Sequence, residues 1–218
     1  MLVGYLVDIH GRKDALRRVL ERLKDVSVEL VVVGGDVTDF DPVSTAMGIL
    51  EMIKDSLGVN VYFIPGNCDD RRLLEWSGEG IYNLHLKEYR VGDLLLFGLG
   101  GSNVTPFHTN IEWSEDEIRK MLEGRDLGER SIFVSHGPPY GTRLDKVMRI
   151  KHVGSKELRK FIEEKQPLLV LTGHIHESAG IDRIGRSVLV NPGPARSGRY
   201  AVIELIPNEE PKVRMSKV

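Results

Sequence analysis

LVGYLVDIHG, residues 2–11, decides the reading: the uncharged run Leu2 to Val7 stops abruptly at Asp8 and His10. A short apolar run bounded by polar residues fits a buried strand. Immediately after it, Lys13 to Val26 places Leu16, Val19, Leu20 and Leu23 three or four residues apart, the spacing of a helix with one apolar face. The pattern repeats. Leu30 to Val33 reads as a β-branched strand, Val43 to Leu57 as a helix and Val59 to Ile64 as a third strand. Three strands joined by two helices predict right-handed crossovers and a parallel sheet.

Beyond Asn67 the texture changes. Ile81 to Leu84, Tyr89 to Val91 and Leu94 to Leu99 are short apolar runs separated by turn residues, which predicts a second, more antiparallel sheet. A helix is expected around Glu115 to Glu123, a strand at Ile132 to Val134, a helix around Ser155 to Lys165 and a strand at Leu168 to Leu171. The remainder, Ile181 to Ile184, Ser187 to Val190, Tyr200 to Leu205 and Lys212 to Met215, reads as hairpins. No repeat, low-complexity segment or linker interrupts this order, so residues 1–218 are read as one α/β domain.

The 218 residues are 41% hydrophobic and 28% charged, enough for one substantial core. Thirty Lys and Arg against 32 Asp and Glu give a formal charge of −2, with no basic run suited to a nucleic-acid arm or a polybasic membrane patch. Cys68 is the only cysteine, so no intrachain disulfide is expected, and the first residues read as a strand instead of a targeting segment. No apolar run approaches the roughly 20 residues a membrane-spanning helix needs. The expectation is a cytoplasmic protein whose partner is a small substrate, not a membrane; composition gives nucleic acid no support and leaves the oligomeric state open.

The apolar strands end repeatedly in metal-binding side chains. Asp8 and His10 follow the first, Asp36 and Asp39 the second, Asn67 and Asp69 the third, His136 the strand at Ile132 to Val134, and His174 and His176 the strand at Leu168 to Leu171. In open α/β sheets ligands gather at the carboxyl ends of strands, so residues distant in sequence can share one site. An isolated His or Asp at a strand end is ordinarily a hydrogen-bonded structural or capping residue. Five strand ends carrying such residues reverse that expectation.

In order, the motifs read DIH, GGDVTD, GNCD, SHGPP and GHIH, and they resemble the calcineurin-like metallophosphoesterase superfamily from Asp8 to His176. The resemblance implies a four-layer α/β/β/α sandwich of two mixed sheets flanked by helices. It also implies two divalent metal ions, with Asp8, His10, Asp36 and His176 around one and Asp36, Asn67, His136 and His174 around the other. A shared carboxylate such as Asp36 would hold the cations roughly 3.5–4 Å apart, so that a bridging hydroxide could attack phosphorus in line. Mixed imidazole and oxygen ligands suit Mn, Fe, Zn or Ni without choosing among them. The implied function is metal-dependent phosphoester hydrolysis in which Asp36, Asn67, Cys68 and His136 are the candidate catalytic residues.

One position departs from the pattern. Many relatives carry His after GN, where it is thought to protonate or stabilise the leaving group, and this chain has Cys68. A thiol with a reference pKa of about 8.5 is a poor proton donor at neutral pH, and a thiolate would repel an anionic substrate. The GNCD form resembles a prokaryotic branch of compact phosphodiesterases, which favours diesters; a phosphatase of small monoesters or phosphoproteins, or a non-catalytic metal-binding scaffold, are the alternatives. Cys68 as a small space-filling residue is the competing reading. Asp39 and Asp69 are expected to orient ligands or cap helices, while Gly34, Gly35, Gly66 and Gly173 permit tight turns before ligands. Arg12 and Arg143 are either solvated cations or phosphate contacts. The Gly100 to Asn103 loop is expected to edge the site with His108, and His85 and His152 to be ordinary surface residues.

Overall fold

In the computed structural model, which describes Met1–Val218, the first apolar run is strand β1 (Leu2–Leu6), followed by helix α1 (Lys13–Val26), β2 (Leu30–Val33), α2 (Val43–Leu57), β3 (Asn60–Phe63) and β4 (Ile81–Asn83). The middle of the chain forms β5 (Glu88–Val91), β6 (Leu94–Leu99), two short strands β7 (Ser102–Asn103) and β8 (Glu112–Trp113), then α3 (Glu115–Leu122) and β9 (Ser131–Ser135). The last third forms the small ribbon β10 (Lys146–Val147) and β11 (Lys151–His152), α4 (Lys156–Lys165), β12 (Leu169–Leu171), β13 (Gly180–Ile184), β14 (Ser187–Asn191), β15 (Arg199–Glu204) and β16 (Lys212–Lys217).

Twelve of these strands make two six-stranded sheets, ordered β16-β15-β1-β2-β3-β4 and β13-β14-β12-β9-β6-β5. Alternation along each strand explains the layering. In β1, Val3 and Tyr5 enter a core between the two sheets, with Val32, Tyr62, Leu96, Val134, Leu171 and Val190, while Leu6 faces Leu16, Val19, Leu20 and Leu23 of α1. On the second sheet Phe97, Phe133 and Val170 face Leu122 of α3 and Leu158 and Phe161 of α4. The result is the expected helix, sheet, sheet, helix sandwich. Slipping β1 by one residue would exchange its two buried faces, which pins the register. The Tyr5 hydroxyl crosses the central core to donate to the Thr172 carbonyl at 2.9 Å, tying the first sheet to the end of β12.

Two expectations need correction. Ile81–Asn83 does not join the second sheet: β4 pairs in parallel with β3, with Val61 opposite Ile81 and Phe63 opposite Asn83. There Ile81 packs with Val61 and Phe63 in the helix-covered core of the first sheet, a partner the turn-rich sequence does not advertise. Nor is the second sheet mainly antiparallel. The pairs β6·β9, β9·β12 and β12·β14 are parallel, and only the edge pairs β5·β6 and β13·β14 are antiparallel. The long connections through α3 and α4 act as crossovers, which impose parallel pairing, whereas hairpin spacing survives only at the edges. β15 and β16 form the expected hairpin, which joins the first sheet through the pairing of β15 with β1 and leaves β16 at the edge. No helix is long and apolar enough to cross a membrane.

Candidate metal centre

The carboxyl ends of β1, β2, β3, β9 and β12 converge, although they belong to two different sheets. The turns that follow are tight: Asp8, His10, Asp36 and His174 all adopt left-handed backbone, with φ between 46° and 65°. Such conformations cost about 1–3 kcal/mol each in a non-glycine residue and persist where surrounding structure over-determines them. Here the turns are laced together, since His10 N–H donates to the Asp36 carbonyl at 2.9 Å and Asp8 N–H to the Gly35 carbonyl at 3.1 Å. Gly66 is required by packing, because a Cβ there would stand 2.1 Å from the Asp36 backbone nitrogen and Oδ1. Asp69, fully buried, accepts hydrogen bonds from the N–H groups of Val37, Thr38 and Gly66 and from the Thr38 hydroxyl, at 2.7–3.1 Å. It clamps the turn bearing Asp36 to the turn bearing Asn67.

Within this frame donor atoms face one another. Donor atoms of Asp8, His10 and His176 lie within 4.8 Å of each other, as do those of Asp36, His136 and His174 and those of His10, Asp36 and Cys68. The Nε2 atoms of His10 and His176 approach to 3.2 Å, and His176 Nε2 is 3.5 Å from Asp8 Oδ1. His136 donates from Nδ1 to the Gly34 carbonyl at 2.9 Å, which aims its Nε2 at Asp36 Oδ2, 3.4 Å away. Three buried atoms in the cluster, His10 Nδ1, Asn67 Oδ1 and His136 Nε2, have no hydrogen-bond partner. Buried polar atoms are nearly always satisfied, so this concentration marks a place built for something other than internal hydrogen bonding.

The charges agree. Burial opposes the charge on Asp36, yet His136, His10 and the Cys68 N–H, which donates to Oδ1 at 2.8 Å, hold its carboxyl below the usual range. Burial likewise opposes a charged His136, but Asp36 and Asp8 outweigh it and hold the imidazole up at about 9. Burial and then the neighbouring His136 push His174 down to about 4, and burial lowers His10. Asp69 is pushed up to about 6 by burial and by Asp36, against the hydrogen bonds it accepts. Burial, followed by the Asp36 charge, raises the Cys68 thiol well above its ordinary value. His10 and His174 are thus held neutral with free lone pairs, and the proton that Asp36 and Asp8 keep on His136 is one that a divalent cation would displace, so the set suits divalent cations.

Other residues singled out in the sequence fall variously. Cys68 is buried, its sulfur 3.6 Å from Asn67 Nδ2. Asp39 Oδ1 lies 3.5 Å from His10 Nδ1 on the exposed side of the cluster. Arg12 lines a basic groove of about 630 Å³ with Lys13, Arg18 and Arg196. Arg143 is exposed, its N–H bound to Asp182 on β13, and nothing joins its guanidinium to the cluster. The Gly100 to Asn103 loop does pack on the third motif, through Gly101 N–H to the Pro65 carbonyl, and His108 is exposed on its continuation. His85 is no surface residue. It is 8% exposed, its Nδ1 accepts the Gly100 N–H at 3.0 Å, and Trp113 stacks against it. His152 is half-buried, with Nδ1 2.6 Å from the buried carboxylate of Asp145.

Three residues escaped the sequence reading. Arg196 follows β14, whose carboxyl end lies beside that of β12, and its guanidinium donates to His176 Nδ1 at 3.1 Å. It stands after an apolar strand like the other motifs, a signal that could have found it. Thr109 accepts from Asn67 Nδ2 at 3.0 Å, and its own hydroxyl donates a hydrogen bond to Glu112 at 2.6 Å. That relay fixes the Asn67 amide by its nitrogen and leaves the buried oxygen free of hydrogen bonds, and no periodicity in Thr109 to Glu112 announces it.

Comparison with known proteins agrees with this geometry. Residues 1–178 match the family model described as calcineurin-like phosphoesterase. An uncharacterized protein, MJ1162 of Methanocaldococcus jannaschii, is 37% identical over 198 residues, which cover 88% of each chain. Among solved structures, a dimetal phosphatase from Danio rerio superposes with a TM-score of 0.68 at 15% identity over 98% of both chains. A structure described as a novel archaeal phosphodiesterase superposes with a TM-score of 0.58 at 16% identity over the whole of both chains. At such identities the structural likenesses establish the fold alone.

Proposed function

This chain belongs to the calcineurin-like phosphoesterase family, and from that premise we propose that it is a phosphodiesterase working with two divalent transition metals. In this reading Asp8, His10, Asp36 and His176 hold one metal and Asp36, Asn67, His136 and His174 the other. The observation that carries it is that donor atoms of Asp8, His10 and His176, and of Asp36, His136 and His174, meet within 4.8 Å of one another while the buried His136 Nε2 and Asn67 Oδ1 have no hydrogen-bond partner. When bound, the metal pair supplies Lewis-acid polarisation of phosphoryl oxygens and activation of water.

The chain's own residues do the positioning. Gly34 fixes the His136 ring, Thr109 turns the Asn67 amide, and Asp69 locks the two turns from which Asp36 and Asn67 project. The Thr109 hydroxyl is engaged between Asn67 and Glu112, and Cys68 is held as a neutral thiol by burial. A neutral thiol does not repel an anionic substrate, which removes one objection to Cys68 at this position. It remains a weak proton donor, so esters whose leaving groups depart without a proton are favoured. A monoester phosphatase is the alternative that the assay below separates. A metal-binding scaffold is disfavoured by the completeness of the donor set.

The test is hydrolysis of bis(p-nitrophenyl) phosphate and p-nitrophenyl phosphate by protein stripped of metal and reloaded with manganese, iron, zinc or nickel. Reloaded protein should cleave the diester faster than the monoester, and chelator should abolish both activities. Full activity in protein shown by elemental analysis to be metal-free overturns the reading; a faster monoester reaction would replace the diesterase with a phosphatase.

A further inference from the structure

A cavity of about 580 Å³ opens beside the cluster, with His174 and Ile175 in its wall. The basic groove at Arg196, which contacts His176, is a separate concavity that shares no lining residue with this cavity. Its other walls are Val104 and Phe107 from the loop before β8, Tyr140 from the turn after His136, and Val147 and Val153 from the β10–β11 ribbon and its exit. Exposed apolar residues crowd here. Of seven large hydrophobic side chains exposed on the protein, Val104, Phe107 and Tyr140 line this cavity, and Met148 and Ile150 sit in the turn of the ribbon that borders it. Apolar surface gathered around one concavity, when it could have been scattered, marks a binding site.

Building on the proposed phosphoesterase activity, we infer that this cavity takes an aromatic ring carried by the ester's organic substituent, seated between Phe107 and Tyr140 while the phosphoryl group lies at the metal centre. Continuity with His174 places any occupant next to the scissile bond. The volume is that of a small-molecule site and not of a flat protein interface. Two ring side chains in the lining, Phe107 and Tyr140, favour a flat aromatic occupant by offset or edge contacts. Lys151 and Lys156, both exposed on the wall, complement the anionic ester, and the Lys156 ammonium lies 5.6 Å from the centre of the Tyr140 ring.

The walls are preformed. Glu112 accepts hydrogen bonds from the N–H and hydroxyl groups of both Thr105 and Thr109, at 2.6–3.2 Å, and the Thr105 hydroxyl accepts from Phe107 N–H at 3.1 Å. Asn103 Nδ2 donates to the Val153 carbonyl at 3.0 Å, joining the facing wall. Phe107 is therefore 81% exposed on a loop held at several points. A ring kept in water by a braced loop saves ordering entropy when a ligand arrives.

The experiment is calorimetric binding of methyl-, cyclohexyl-, phenyl- and octylphosphonate to manganese-loaded protein, with inhibition of bis(p-nitrophenyl) phosphate hydrolysis measured in parallel. Phenylphosphonate should bind about 10- to 100-fold tighter than methylphosphonate and tighter than cyclohexylphosphonate. Phe107→Ser and Tyr140→Leu should each remove most of that advantage while leaving methylphosphonate affinity unchanged; Phe107 is so exposed that its replacement leaves folding intact. Equal affinities for phenyl and methyl, or no loss in either variant, overturn the inference while the phosphoesterase stands. Preference for cyclohexyl or octyl overturns the aromatic assignment. Failure of every phosphonate to bind, with no metal-dependent hydrolysis, overturns the underlying activity instead.

Discussion

Asn67 shows how much a single donor depends on what stands behind it. Its amide could face the cluster with either oxygen or nitrogen, and only the oxygen can ligate a cation. The hydrogen bond from Nδ2 to Thr109 decides, and Glu112 orients Thr109 in turn. Partners that orient metal ligands typically matter by 10–100-fold in metal affinity. Thr109→Val should therefore weaken one metal site by about that factor and spare the other. Asn67→Ala should lose one metal outright, and Asp36→Ala both, because Asp36 belongs to two of the donor groups. Elemental analysis after dialysis, followed by metal titration, checks all three. Equal retention of two metals by Asn67→Ala and Asp36→Ala would refute the assignment of ligands. Asp36 and Asn67 were legible in the sequence because each follows an apolar strand; Thr109 was not, since its loop joins the site through tertiary hydrogen bonds such as Ile111 N–H to the Asn67 carbonyl and Asn67 Nδ2 to Thr109, which leave no local pattern.

At the scale of elements, periodicity located nearly every helix and strand but could not assign strands to sheets. The runs at Leu16 to Leu23 and Ile49 to Ile53 bury one helical face and read directly. β4 was assigned to the wrong sheet because three residues carry little periodicity and its neighbour in space, β3, lies eighteen residues earlier in sequence, between Phe63 and Ile81. His85 was misread for the same reason: once β4 is placed beside β3, the residue after Leu84 is drawn under Trp113 and out of water. Burial, with Lys87 and Arg71 nearby, pushes its pKa down from 6.5 to about 4. The sign follows from proton binding. Between those two values the unfolded chain protonates this imidazole and the folded chain does not, so stability present above pH 6.5 is lost as pH falls toward 4. From pH 7.5 to 5 the loss is on the order of 2 kcal/mol. His85→Gln keeps an acceptor for Gly100 N–H but cannot titrate. Urea unfolding of both metal-free proteins across that range should show the native chain losing about 2 kcal/mol more than the variant. Parallel curves would mean that His85 takes its proton without leaving its site.

Across the whole molecule, the centre is a joint between sheets. Asp8, Asp36 and Asn67 come from the first sheet and His136, His174 and His176 from the second, and the core between the sheets holds the two groups in register together with hydrogen bonds from Tyr5 to Thr172, from His136 to the Gly34 carbonyl and from His174 N–H to Asp8. A ligand that bridges both groups binds the folded chain and not the unfolded one, so it stabilises by RT ln(1 + [L]/Kd), about 4 kcal/mol at a thousandfold excess over Kd. For a chain of this size, each kcal/mol raises the melting temperature by roughly 2–4 °C, so saturating manganese should raise it by roughly 8–16 °C per tightly bound ion. The increment should keep growing with the logarithm of metal concentration. Asp36→Ala should abolish the shift by removing the donor common to both groups, and Asn67→Ala should keep about one ion's share of it. Arg143→Ala, which removes an exposed guanidinium with no bond to the cluster, should keep the shift whole. An undiminished shift in Asp36→Ala would place the stabilising cations elsewhere on the surface, and the joint between the sheets would then be held by its core and its hydrogen bonds without help from metal.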